Sequence, residues 1–259
     1  MGYKHIEYIV KDRIGWIRFN RPDQLNAMNS LMMTEIIDAL EAIRIASTDE
    51  VRVGLIIGNG KAFMAGADIK EYATQTLEDF EDFQKKGQKL YNAIEGNTKP
   101  IIAAINGYAF GGGFEIALAC DMTVSVESAK MGLPEILLNL IPGGGGSMRL
   151  AKKVGSNMAN EMVMTGRTVQ AEEMHRLGLI SHIYSAENFH DKVTEFARSI
   201  AEKEPDRLLC IKQLTQMSTG TISQAAQNME FAALSHFYQS AKGQEKIQAF
   251  FRKSQTHQK

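Results

Sequence analysis

Two glutamates stand where apolar neighbours leave a charge little reason to be. Glu115 follows the glycine run 111–113 in GYAFGGGFEIALACD, among Phe114, Ile116, Ala117 and Leu118. Glu135 stands in GLPEILLNLIPGGGG, between Pro134 and the apolar Ile136, Leu137 and Leu138. A buried carboxylate is costly unless it is paired, hydrogen-bonded or neutralised. Twenty residues separate the two, a gap filled by the strand-like MTVSV and its flanking loops, so the chain can return both to one pocket. Two carboxylates facing each other in a dry cleft raise at least one pKa and suit general acid–base work. Spacing alone equally accommodates two unrelated solvated acids.

The glycines ahead of Glu115 free backbone N–H groups at a helix start and let a ligand approach closely. The helix dipole adds positive potential there, which suits a carbonyl oxygen that becomes an anion: the chemistry of an oxyanion hole. The same glycines also serve tight strand–helix packing. A second loop, KAFMAGADIK (61–70), sets Ala65, Gly66 and Ala67 after the strand-like VRVGLIIG, where N–H groups collect at the carboxyl edge of a parallel sheet. Asp68 reads as the N-cap of the next helix. Other chemistries fail at the motif. GxxxxGK[ST] is absent, and GxGxxG breaks at Ile116 and Met148. The six histidines show no ligand spacing, and no GxSxG offers a nucleophile, so no metal is expected.

Around these loops the chain alternates strand and helix. HIEYIV and RIGWIRF form a hairpin about Lys11 and Asp12, and Ser30 reads as the N-cap of a helix running to about Ala46. VRVGLIIG, KPIIAAI and MTVSV are buried-strand candidates, with helical spacing over 76–95 and in GGGFEIALAC between them. Strand, helix, strand at this spacing predicts right-handed parallel crossovers. Beyond about residue 145 the pattern is helical apart from ISHIY, with helices expected at 187–202, 205–217, 221–238 and 243–252. The class is α/β, with a core over 1–190 and a helical region over 191–259.

Composition narrows the partners. A net charge of −1 gives no reason to expect a nucleic acid or a membrane surface. The N-terminus has no apolar segment of the secretory kind, and two distant cysteines suggest a reducing compartment, so a cytoplasmic location is expected.

NRPDQLNAM, KAFMAGADIKE, KPIIAAINGYAFGGGFEIALACD, GLPEILLNLIPGGGGSMRL, MVMTGRTVQAEEMHRLGLISHI and AFFRK, in this order, resemble the enoyl-CoA hydratase (crotonase) family over nearly the whole chain. The resemblance implies a ClpP-like ββα spiral of two perpendicular sheets, a helical C-terminal region building a homotrimer or dimer of trimers, and an acyl-CoA thioester substrate. It implies an oxyanion hole at Ala67 and Gly112 and catalysis by Glu115 and Glu135. It places CoA and substrate contacts at Gln24, Leu25, Ala27, Lys61, Ala65, Asp68, Ile69, Gly111 and Pro134, with Phe250 or Lys253 of a neighbouring chain. No cofactor is implied beyond the CoA of the substrate. Hydration of a 2-enoyl-CoA in β-oxidation or a related route is the leading expectation. A Δ3,Δ2-enoyl-CoA isomerase, another crotonase reaction, and a non-catalytic acyl-CoA- or RNA-binding relative are the alternatives. One departure stands out: GGGGSMRL replaces the GAGGTQRL of typical members, and Phe110 and Phe114 flank the first glycine run as candidates to narrow the site.

Overall fold

Ile6–Lys11 (β1) and Ile14–Phe19 (β2) pair antiparallel across Asp12 and Arg13, whose φ values of 55° and 62° match the twist of the strands. The computed structural model describes residues 2–217, 224–242 and 245. Helix Ser30–Ile45 (α1) follows the hairpin. Its N-cap is Asn29, not Ser30: Asn29 is extended, and its side chain accepts the Met32 N–H at 2.9 Å. Ser30 lies inside the helix, and its own N–H donates to Glu71.

From here the chain repeats a turn made of a long strand, a short strand and a helical segment. The first turn is Val53–Gly58 (β3), Ala62–Met64 (β4), Ile69–Tyr72 (α2) and Leu77–Glu95 (α3). The second is Ile101–Ile105 (β5), Tyr108–Phe110 (β6) and Gly112–Ala119 (α4). The third is Met122–Val126 (β7), Lys130–Gly132 (β8), a 3-10 turn Glu135–Leu138, and helices Gly146–Val154 (α5) and Ser156–Thr165 (α6). Val169–Gln170 (β9), Ala171–Arg176 (α7), His182–Tyr184 (β10) and Phe189–Ala201 (α8) close the spiral.

The long strands enter a six-stranded sheet ordered β1-β2-β3-β5-β7-β10, and the short ones a four-stranded sheet ordered β4-β6-β8-β9. Pairing is parallel except at β1/β2 and β8/β9. Each of β3 and β5 is buried at every residue, which explains why VGLIIG and IIAAI carry no polar side chain. The short strands AFM, YAF and KMG have only three residues each, too few to show a period in the sequence.

The described residues divide after Lys203 into two compact units. The first includes α8, which buries Val193 and Ala197 although it lies beyond the division expected at 190. The second contains Pro205–Met217 (α9) and Gln224–Gln239 (α10), where Arg207 stacks 4.5 Å from the Phe237 ring and donates to Ser240. The helix expected over 243–252 lies, residue 245 apart, outside the described residues, as do Phe250 and Lys253.

Candidate active site

The loop after β4 is tied to the segment after β2 as one more parallel rung. Met28 donates its N–H to the Gly66 carbonyl at 2.8 Å, and Asp68 donates to the Met28 carbonyl at 2.8 Å. The residues flanking Ala67 therefore face Met28, the Ala67 N–H is turned away from that rung, and Ala67 lines a cavity. Across this cavity Gly112 opens α4, where the first N–H groups have no partner within the helix. Ala67 and Gly112, from successive turns of the spiral, thus line one space of about 160 Å³.

Glu115, one turn into α4, is 3% exposed. Its Oε1 accepts the N–H groups of Gly144 and Gly146, each at 2.8 Å, and its Oε2 accepts the Tyr91 hydroxyl at 3.3 Å. Burial pushes its carboxyl above the ordinary range, while those three donors and the Arg149 charge oppose the rise. Arg149 forks onto Glu95 with bonds of 2.8 and 2.7 Å, donates to the Gly144 carbonyl, and lies 5.6 Å from the Tyr91 ring.

Glu135 opens the 3-10 turn and lines the same cavity from the third turn of the spiral. Its Oε2 is buried with no hydrogen-bond partner among the described residues. Burial first, and then the Glu115 charge, raise its pKa to about 7. One carboxylate is pinned by three donors; the other is left with an unanswered oxygen and a proton that comes and goes near neutrality.

Of the other expected site residues, Ala65, Ile69, Gly111 and Pro134 line the cavity. Gln24, Leu25 and Ala27 lie on the segment alongside its entrance strand: Ala65 donates to the Leu25 carbonyl at 3.0 Å, and Arg21 donates to Gln24 and to the Ala27 carbonyl. Asp68 caps α2 by accepting the Lys70 N–H, and it pairs with Arg21 at 2.8 Å. Partial burial pushes its carboxyl up, but Arg21 and the capping N–H groups hold it below the ordinary range. Lys61 is exposed on the turn before β4 and does not line the cavity. Phe110 lines the cavity, whereas Phe114 is fully buried in the core and narrows nothing. Tyr91, Glu95 and Arg149 are contributors that sequence reasoning passed over. Tyr91 sits at helical spacing among apolar residues and reads as core, although Arg149 belongs to the glycine motif itself.

The model of the enoyl-CoA hydratase/isomerase family matches residues 10–259. The chain is 34% identical over 244 residues to 2,3-dehydroadipyl-CoA hydratase of Escherichia coli, covering 94% of each chain. It is 36% identical over 204 residues to crotonyl-CoA hydratase of Syntrophomonas wolfei, covering 78% of each. The solved enoyl-CoA hydratase of Bacillus anthracis superposes with a TM-score of 0.90 at 32% identity, covering 96% of this chain and 97% of that one. The spiral is therefore the crotonase fold, in an enzyme of the crotonase class. The chain belongs to the enoyl-CoA hydratase/isomerase family.

Proposed function

We propose that this enzyme adds water across the 2,3 double bond of a 2-enoyl-CoA thioester to give a 3-hydroxyacyl-CoA. The observation that carries the reading is the convergence of Ala67, Gly112 and two unlike carboxylates on one cavity. Attack of water at C3 moves negative charge onto the thioester oxygen as an enolate. Ala67 and Gly112 donate to that oxygen, and losing one such donor costs about 10²–10³ in rate. Glu115, its carboxylate fixed by Gly144 and Gly146, orients and deprotonates the water. Glu135, titrating at about 7, delivers a proton to the α-carbon, which completes the addition. Hydration is redox-neutral, and the reading assigns no cofactor beyond the substrate's own CoA. CoA itself would lie along Gln24, Leu25 and Ala27 and the Ala65–Ile69 loop, in a cytoplasmic enzyme assembled as a homotrimer or dimer of trimers.

The test is to add purified protein to crotonyl-CoA, following loss of the enoyl-thioester absorbance and the mass of the product. Gain of one water supports the reading; no turnover of crotonyl-CoA or of longer 2-enoyl-CoAs sinks it. Isomerisation of 3-enoyl-CoA is the second reading, because Glu135 alone has an oxygen free to shuttle a proton. It would leave the mass unchanged, increase the absorbance, and survive Glu115→Gln.

A further inference from the structure

Tyr91 ends inside the site. Its hydroxyl is the only side-chain hydrogen-bond donor to Glu115 among the described residues, and it reaches Oε2, the oxygen that the glycine loop leaves untouched. The ring that carries it stands where residue 144 would place a side chain. A Cβ built on Gly144 would lie 2.0 Å from Tyr91 Cε2, 2.6 Å from Cζ, and 2.7 Å from Glu115 Oε2. At those distances the ring, the carboxylate or the glycine loop must shift to admit a side chain at 144. The missing side chain and the ring are two halves of one fit, and Gly144 is the position where GGGGSMRL departs from the alanine of GAGGTQRL. Arg149 closes the fit from behind, holding the Gly144 carbonyl and lying over the same ring.

We propose that Tyr91 is a positioning residue: admitted by the bare backbone at Gly144, its hydroxyl fixes the second oxygen of Glu115 and, beside the two glycine N–H groups, helps keep that carboxylate charged. A donor to the charged form of an acid favours that form. Burial and the adjacent Glu115 keep the phenol protonated, so it remains a donor at every working pH. The other titratable or charged groups facing Glu115 are Arg149 from α5, Glu135 from the 3-10 turn and Tyr72 from α2. Arg149 is engaged by Glu95, and Glu135 opposes the charge rather than supporting it.

The importance of Tyr91 for hydration rests on the proposed function, so its effect on Glu115 is read separately. Protein carrying ¹³C at the glutamate carboxyls is titrated by NMR, with Glu115→Gln assigning the signal. The pH profile of kcat/KM with crotonyl-CoA is measured alongside. Tyr91→Phe keeps the ring and removes one oxygen. It should raise the Glu115 midpoint by about one pH unit and move the acid limb of kcat/KM with it, leaving KM nearly unchanged. Gly144→Ala should shift the midpoint the same way and lower kcat by about tenfold or more. In a Tyr91→Leu background, where the overlapping ring atoms are gone, Gly144→Ala should cost little further. An unmoved midpoint in Tyr91→Phe, or losses that simply add in Gly144→Ala/Tyr91→Leu, overturns the proposal. If the wild type turns over no enoyl-CoA, the hydratase reading falls while the NMR titration still decides what Tyr91 does.

Discussion

Glu35 and Glu115 are both buried carboxylates, and their surroundings tell them apart. Glu35 accepts the N–H groups of Lys4 and His5 at 2.8 Å each and ties the N-terminal segment to α1. Glu115 is satisfied in a similar way but faces a cavity, with Glu135 across it. A charge among apolar residues thus made Glu115 and Glu135 legible as candidates, but only the cavity distinguishes a working carboxylate from a structural one. Tyr91 and Arg149 were not legible, because an aromatic at helical spacing reads as core and an arginine on a helix as solvated surface. Glu115→Gln and Glu135→Gln should each lower hydration by about 10²–10⁴ while acyl-CoA binding, measured by calorimetry, persists. Glu135 also fixes a pH limit. In the proposed role of proton donor it would be competent below its pKa of about 7, so kcat/KM should fall as pH rises through 7. The same shift has a stability sign. A folded pKa above the ordinary 4.5 means that the native state binds the proton more tightly, so the stabilisation present below 4.5 is lost as pH rises through 7. Glu135→Gln should therefore melt at a higher temperature than wild type at pH 8, and a lower melting temperature would contradict the assignment.

At the scale of elements, the packing reading of the first glycine run holds. A Cβ on Gly113 would lie 2.2 Å from the Met64 carbonyl oxygen, so this glycine lets α4 settle on β4, while its neighbour Gly112 lines the cavity. The long strands and helices were legible from their periodicity. The four-stranded sheet was not, since its pieces are two or three residues long and are held by partners distant in sequence. The helix cap was misread because Asn29 and Ser30 are adjacent capping residues, and only backbone geometry chooses between them. Asn29→Ala should cost about 1 kcal/mol in denaturant unfolding, and Ser30→Ala should not remove that cap. The cavity wall predicts substrate preference. Phe83, Leu138, Leu140 and Ile141 line it, no Lys, Arg or His among the described residues does, and two carboxylates line it too. A straight-chain enoyl-CoA should be hydrated at least about tenfold more efficiently than one bearing a terminal carboxylate, whose charge would be repelled and unpaired. Equal kcat/KM for the two would refute this, a useful contrast with the dehydroadipyl-CoA hydratase relative.

At the scale of the molecule, the C-terminal unit carries apolar side chains that its own two helices leave in solvent: Phe231 is 72% exposed, Leu234 64% and Tyr238 59%. A face of this kind is costly for a lone chain and natural at a contact between copies. Light scattering should find the proposed trimer or hexamer, and Phe231→Ser/Leu234→Ser should lower the mass toward that of one chain. An unchanged mass would place the contact elsewhere. The sequence read as α/β followed by helices, yet it could not show how far the first unit runs. Helix α8 shares its periodicity with the helices that follow it, and only its burial separates it from them.

The spiral also has a timetable. The turns leave the ribosome in order, and the N–H groups that answer Glu115 belong to Gly144 and Gly146, one turn later. A nascent chain that has just made α4 holds a carboxylate among apolar residues with Tyr91 as the one donor of its three already made. At synthesis rates of about 5–20 residues per second that state lasts for seconds. Burying Glu115 before the glycine loop arrives would leave its Oε1 without partners, so closure of the core around α4 is expected to wait for that loop.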